Sequence, residues 1–226
     1  MNIIINYQEM YMPSDNMDKD TNQKPLSVVV LGKGVVGKTS LIYRFVKDAF
    51  PEAHDPTIED NYKAMVDIDN ESIEIQVVDT AGEEDYQNML DQWIDVADGF
   101  LLVFAINDKD TFNVLDEKYK RIQKHKEKNV PIILVGNKSD LENERQVTKE
   151  EANQKATAWK AKYIETSALT DVNKNCKEPF IQCAKDIRSN LMNQGKKELK
   201  DINDEDEIDE NGNKIRRGGC KKCIIF

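Results

Sequence analysis

Gly32-Lys33-Gly34-Val35-Val36-Gly37-Lys38-Thr39 decides how the rest of this chain is read. The spacing is G-x-x-x-x-G-K-[ST]. It follows the apolar run Val28-Val29-Val30-Leu31 and precedes the helical pattern Leu41, Ile42, Phe45, Val46. That order of strand, loop and helix is what a phosphate-binding loop requires. Glycine allows the backbone to approach phosphate closely, and the helix that follows adds unpaired N–H groups and the positive end of its dipole. Gly34, Val35, Val36, Gly37, Lys38, Thr39 and Ser40 are therefore expected to line a nucleotide's phosphates. Lys38 would reach the β- and γ-phosphates, and the Thr39 hydroxyl would ligate Mg²⁺.

Asn137-Lys138-Ser139-Asp140 follows a second apolar strand, Ile132-Ile133-Leu134-Val135, which puts it at the carboxyl edge of a sheet. Ligands of open α/β sheets bind at that edge. A carboxylate such as Asp140 can accept from both N1–H and the 2-amino group of guanine. Adenine lacks both donors and would leave the acceptor unpaired, at a cost on the order of 1–3 kcal/mol. Discrimination by missing partners is strong. Glu165-Thr166-Ser167-Ala168, after the short strand Tyr163-Ile164, supplies a further loop toward the base, with Ser167 and Ala168 as its contacts. Asp79-Thr80-Ala81-Gly82 ends the strand Ile73–Val78. Asp79 would support Mg²⁺ from behind its direct ligands, and the Gly82 N–H would meet the γ-phosphate.

With these segments in place, roughly residues 26–190 resemble a small GTPase of the Ras family. Asp55-Pro56-Thr57-Ile58-Glu59-Asp60-Asn61-Tyr62 resembles the family's effector segment almost residue for residue, where Rho and Rab members read differently. Tyr86 and Phe104-Ala105-Ile106-Asn107 also read as Ras. Val130-Pro131 through Leu141 to Arg145-Gln146-Val147 is similar to Ral and Rap. The resemblance implies that Phe50 packs against the guanine edge, Lys138 lies over its face, and Thr57 ligates Mg²⁺ only in the GTP state. Residues 55–62 would then be the first switch and 81 to about 92 the second, ordered by γ-phosphate and released by hydrolysis. Lys38, Gly82 and Glu83 are the implied catalytic positions.

Three residues depart from the family pattern. Glu83 stands where a glutamine usually orients the attacking water. His54 replaces a tyrosine over the nucleotide, and Leu169 replaces the lysine that often follows Ser-Ala. A carboxylate at Glu83 cannot donate the amide hydrogen bond that stabilises transition-state charge, yet it could accept a proton from water. The sequence thus supports two readings: a GTP-hydrolysing switch, and a slowly hydrolysing, mostly GTP-bound scaffold. An ATP-dependent P-loop kinase or motor fails on Asn137–Asp140 and on length.

The chain has 226 residues, enough for one domain with tails. Strand-like runs alternate with helical stretches. The expected fold is an α/β G domain with a mostly parallel six-stranded sheet, one antiparallel edge strand and helices on both faces. Tyr62–Ile68 and Ile73–Val78 should form a hairpin around Asp69-Asn70-Glu71. Residues 1–25 read as a disordered extension, 26–191 as the domain, and 192–226 as a spacer that is first acidic, then basic.

The formal net charge of −10 argues against nucleic acid, which calls for a basic patch. Cys176 and Cys183, seven apart, are expected on the last helix as small core residues. Cys220 and Cys223 have C-x-x-C spacing but no second pair, which reads against zinc. Instead Cys223-Ile224-Ile225-Phe226 is a prenylation box of the geranylgeranyl class. One lipid anchors marginally, so a second signal is expected from Cys220 as a palmitoylation site or from Lys214, Arg216, Arg217, Lys221 and Lys222. The expected partners are an exchange factor, an activating protein, effectors at residues 55–62 and a prenyltransferase. A monomer on the cytoplasmic face of the plasma membrane or an endomembrane is expected.

Overall fold

The computed structural model describes residues 24–50, 59–80, 87–126, 129–169, 174–204, 207–208 and 214–215. Residues 1–23 of the expected extension 1–25, and Cys220 and Cys223, where lipidation is expected, lie outside them.

Period-two alternation in the strands builds the two faces of the sheet. In β1 (Leu26–Leu31), Val28 and Val30 point to one face while Val29 and Leu31 point to the other, and all are buried. A strand apolar on both sides belongs in the middle of a sheet with helices on both faces. β1 pairs in parallel with β3 (Glu71–Thr80) on one side and β4 (Gly99–Ala105) on the other. β5 (Ile132–Asn137) and β6 (Lys162–Glu165) extend the parallel run. β2 (Glu59–Ile68) pairs antiparallel with β3 and forms the far edge, giving the order β2-β3-β1-β4-β5-β6. The expected six-stranded sheet with one antiparallel edge strand is present.

The β2–β3 turn is tighter than expected. Ile68 pairs with Glu71, so the turn is Asp69-Asn70 alone, and both have positive φ (53° and 66°). Asx residues tolerate this conformation, and two such residues match the twist of a hairpin.

One face carries α1 (Lys38–Lys47) and α6 (Glu178–Asp204). Leu41, Ile42 and Phe45 meet Phe180, Cys183, Ala184 and Ile187 over Val28, Val30, Ile75, Val77, Leu101 and Val103. Phe45 and Phe180 stack with centroids 4.2 Å apart. The other face carries α2 (Gln87–Val96), α3 (Lys109–Asn113), α4 (Leu115–His125) and α5 (Lys149–Trp159). There Trp93, Ile94, Phe112, Leu115, Ile122 and Ala152 cover Val29, Leu31, Phe100, Leu102 and Phe104.

Two expectations shift. Cys176 is buried as expected, but it sits in a 3-10 turn (Lys174–Cys176) ahead of α6, where its thiol donates to the Ser167 carbonyl at 3.0 Å. The helix starts only at Glu178, next to Pro179, a residue suited to a first turn because its missing N–H would have no partner there. At its other end α6 runs on to Asp204, past the expected boundary at 191, through residues such as Lys196, Lys197, Glu198 and Leu199 that favour helix. Beyond it, β7 (Glu207–Ile208) pairs antiparallel with β8 (Lys214–Ile215), apart from the main sheet. Among the described residues no helix is long and apolar enough to cross a membrane.

Candidate functional site

The parallel strands end together, and β1 is where the connections diverge, toward β3 on one side and β4 on the other. Crevices of this kind are where open α/β sheets take ligands. The loop after β1 fills it. Val35 has φ 58° and is 77% exposed, so its side chain turns outward. Gly37 has φ +92°, and a Cβ there would lie 2.5 Å from the Asn137 side-chain nitrogen. A Cβ on Gly34 would meet nothing within 4 Å, leaving that stretch of backbone open to a ligand.

Lys38 opens α1 and is buried. Its ammonium donates back to the carbonyls of Gly32 (3.3 Å) and Lys33 (3.2 Å), spanning the loop. Burial pushes its pKa down to about 8, against the opposing pull of the Asp79 carboxylate; Lys118 adds a further lowering. A buried cation weakened by lost solvation is restored by an anion, and polyphosphate is such an anion. Thr39 Oγ1 donates to Asp79 Oδ2 at 2.6 Å, joining the start of α1 to the end of β3. Hydroxyl and carboxylate oxygens suit a hard cation, so the donor set fits Mg²⁺. Among the described residues no group of three or more His, Cys, Asp or Glu gathers that could hold a metal. Mg²⁺ is commonly held by one or two protein oxygens together with substrate phosphates, and this pair has that character.

The structure brings the expected base-side segments together through the Thr166–Asn137 and Ser167–Asp140 hydrogen bonds. Asn137 ends β5, and both ends of its amide serve the protein. Its nitrogen donates to the carbonyls of Val36 (2.9 Å) and Gly37 (3.4 Å), and its oxygen accepts from Thr166 Oγ1 (3.1 Å). Asn137 therefore braces the phosphate loop against the base loops. Thr166 was not among the expected contacts. It is fully buried, and no polar-loop pattern distinguishes such a brace from a solvated threonine. Lys138 adopts φ 62°, a sharp turn out of the strand. Ser139 N–H donates to the Thr166 carbonyl at 3.0 Å, and Ser167 Oγ donates to Asp140 Oδ1, which orients that carboxylate. Ala168 is buried, while Phe50 is 45% exposed. Arg44 of α1, absent from the expected set, donates to the carbonyls of Ala168 and Leu169.

Of the expected effector residues, Glu59, Asp60 and Tyr62 open β2. The Tyr62 hydroxyl lies 3.5 Å from Asp60 Oδ2, and burial together with the charges of Asp60 and Asp79 pushes its pKa up to about 12. Asp55, Pro56, Thr57, Ile58, His54, Ala81, Gly82, Glu83 and Tyr86 lie outside the described residues. The α2 helix that follows is fixed to α4: Arg121 grips Asp91 at 2.6 and 3.0 Å, and the His125 ring lies 3.1 Å from both Asp91 and Asp95.

The arrangement gathers a buried cation, a hydroxyl–carboxylate pair and an oriented carboxylate where the parallel strands end. Comparison with known proteins identifies the family. The family model described as "Ras family" matches residues 27–189. The chain is 36% identical over 214 residues to Ras-related protein ralB-A of Xenopus laevis, covering 92% of this chain and 98% of that one. It is 39% identical to Ras-related protein O-RAL of Diplobatis ommata (79% and 88% covered). It is 40% identical to Ras-related protein Ral-B of Rattus norvegicus (75% and 82%).

Proposed function

The chain belongs to the Ras family of small GTPases, and from that premise we propose that it is a membrane-anchored guanine-nucleotide switch. It binds Mg²⁺–GTP, engages effectors through residues 55–62, and hydrolyses GTP with help from an activating protein. The observation that carries the reading is one convergence. The Lys38 ammonium, the Thr39–Asp79 pair and the Ser167–Asp140 pair, from four strand ends, face one crevice and are tied together through Asn137.

Each residue then has a task. Lys38 neutralises phosphate charge, and the N–H groups at the start of α1 bind phosphate oxygens. Thr39, with Asp79 behind it and Thr57 in the GTP state, would hold Mg²⁺, which when bound would supply charge neutralisation to the phosphates. Asp140, oriented by Ser167, reads the two donors on guanine's edge. Gly82 and Glu83 act where water attacks.

Asp140→Asn tests the base reading. The 2-amino donor of guanine gives way in xanthine to an oxygen that accepts from an amide. The variant should lose GTP affinity at least about a hundredfold and gain XTP binding, read by nucleotide titration. Unchanged GTP preference would mean that Asp140 does not face the base.

A second reading rests on Glu83: a mostly GTP-bound scaffold that hydrolyses too slowly to cycle. Single-turnover hydrolysis, with and without a Ras-type activating protein, separates the two. Glu83→Gln should leave GTP affinity nearly unchanged and should raise the stimulated rate, because the activating protein's arginine works together with that amide. Equal stimulated rates would remove any functional weight from Glu83.

A further inference from the structure

Two segments from distant parts of the chain meet beside the base loops. One is the end of α1, where Asp48 turns the chain (φ 53°). The other is Ser167-Ala168-Leu169, after β6. A single side chain reaches both. Arg44 Nε donates to the Ala168 carbonyl at 2.8 Å, Nη2 to the Leu169 carbonyl at 3.4 Å, and Nη1 to the Asp48 carbonyl at 3.3 Å. On the same side, Lys177 lies 3.7 Å from the Asp48 carboxylate.

A guanidinium is a planar fork whose five N–H groups stand in fixed directions. Gripping two successive carbonyls sets the orientation of the peptide between them, and hence the direction of the neighbouring N–H groups. That orientation matters here because Ser167 is bonded to Asp140. Asp140 takes the two donors of guanine's edge, and O6, the acceptor on that edge, needs an N–H from the adjoining backbone. The Ala168 peptide directly follows Ser167.

We propose that Arg44 is a positioning residue for nucleotide retention. It locks the Ala168–Leu169 backbone to α1 and to the Asp48 turn at its end, so that a backbone N–H is held ready for the O6 of the base. Leu169 is exposed and apolar and offers no polar grip of its own, which leaves the task to Arg44. Because α1 begins at Lys38 and Thr39, the same helix registers the phosphate end of the ligand against the base end. The inference rests on the guanine-nucleotide reading above.

Three proteins test it: the parent, Arg44→Gln and Arg44→Lys. Each is loaded with GDP or with 6-thioguanosine diphosphate, and release is followed by nucleotide exchange. The thio analogue keeps N1–H and the 2-amino group for Asp140 but replaces O6 with sulfur, a weak acceptor. Arg44→Gln should release GDP about tenfold faster than the parent. Arg44→Lys, with the charge but without the fork, should release it about threefold faster. Release of the thio analogue should change less than threefold in Arg44→Gln. Parent-like GDP release in Arg44→Gln, or equal acceleration for both nucleotides, overturns the assignment, the latter because a purely structural strut would loosen both alike. If Arg44→Gln does not fold, the same comparison between nucleotides in Arg44→Lys decides. A parent that fails to retain GDP at all would instead overturn the guanine-nucleotide reading.

Discussion

Glycines with different surroundings make contrasting demands on the phosphate loop. At Gly37 an added Cβ would strike the Asn137 amide, and the backbone is in the left-handed region. A non-glycine residue there costs roughly 1–2 kcal/mol in conformation alone. The Asn137 brace to Val36 would also be displaced. Gly37→Ala should therefore lower both stability and GDP affinity, the latter at least about a hundredfold, as read by urea unfolding and titration. Gly34 is the converse, with nothing near its missing Cβ. Gly34→Val should unfold within about 0.5 kcal/mol of the parent but slow hydrolysis, because its side chain projects into the open side of the loop. A destabilisation above about 1 kcal/mol would show that the space is filled in the folded protein. These residues were legible in the sequence because spacing fixes their chemistry. Arg44, Thr166 and the bracing role of Asn137 were not. Each acts through partners in distant strands or loops, and linear order does not reveal which polar side chain will meet which carbonyl.

Among the elements, α2 and α4 are joined by charge. The Arg121 guanidinium beside Asp91 holds that carboxyl below its usual range, chiefly through their hydrogen bonds, with His125 adding to the effect. A carboxylate with a depressed folded pKa contributes stability above its unfolded value, about 3.9. That contribution is lost as pH falls through the lower folded value. The pair is partly exposed, so its contribution is modest, on the order of 0.2–1 kcal/mol. Asp91→Asn should be less stable than the parent by that much at pH 7, and the gap should close as pH falls below about 4. Urea unfolding across pH would show it. A gap that persisted in acid would point to lost packing instead. At α5 the Thr148 hydroxyl accepts from the Glu151 N–H while Glu151 reaches back to the Thr148 N–H. Thr148→Ala should cost about 1 kcal/mol in the same assay. The strands were readable from their alternation and their apolar runs. The extents of the helices were less so: α6 continues to Asp204 because helix propensity persists after the buried stripe has ended.

For the whole molecule, the proposed anchor and the proposed nucleotide site occupy separate parts of the chain, the site where the parallel strands end and the anchor at Cys223-Ile224-Ile225-Phe226. Cys223→Ser should leave GTP binding intact and move the protein to the soluble fraction on fractionation. Retention on membranes would place the anchor elsewhere. Cys220→Ser should give partial release, greater in high salt. Basic residues near an anionic surface contribute only about 1 kcal/mol each, and the acidic run at Asp201–Glu210 opposes them.

The shared layer of α1 and α6 also bears on how the chain is made. Phe180, Cys183, Ala184 and Ile187 seal the face over Val28 and Val30 and stack against Phe45, so the first strand is closed over by the last helix. During synthesis β1 and α1 must wait, with that face open, until α6 has left the ribosome. Long-range closure of this kind is slow and leaves apolar surface exposed in the interval. Nascent chains halted before Phe180 should be digested readily by added protease and recruit chaperones, whereas chains extended past residue 204 should become resistant in a single step.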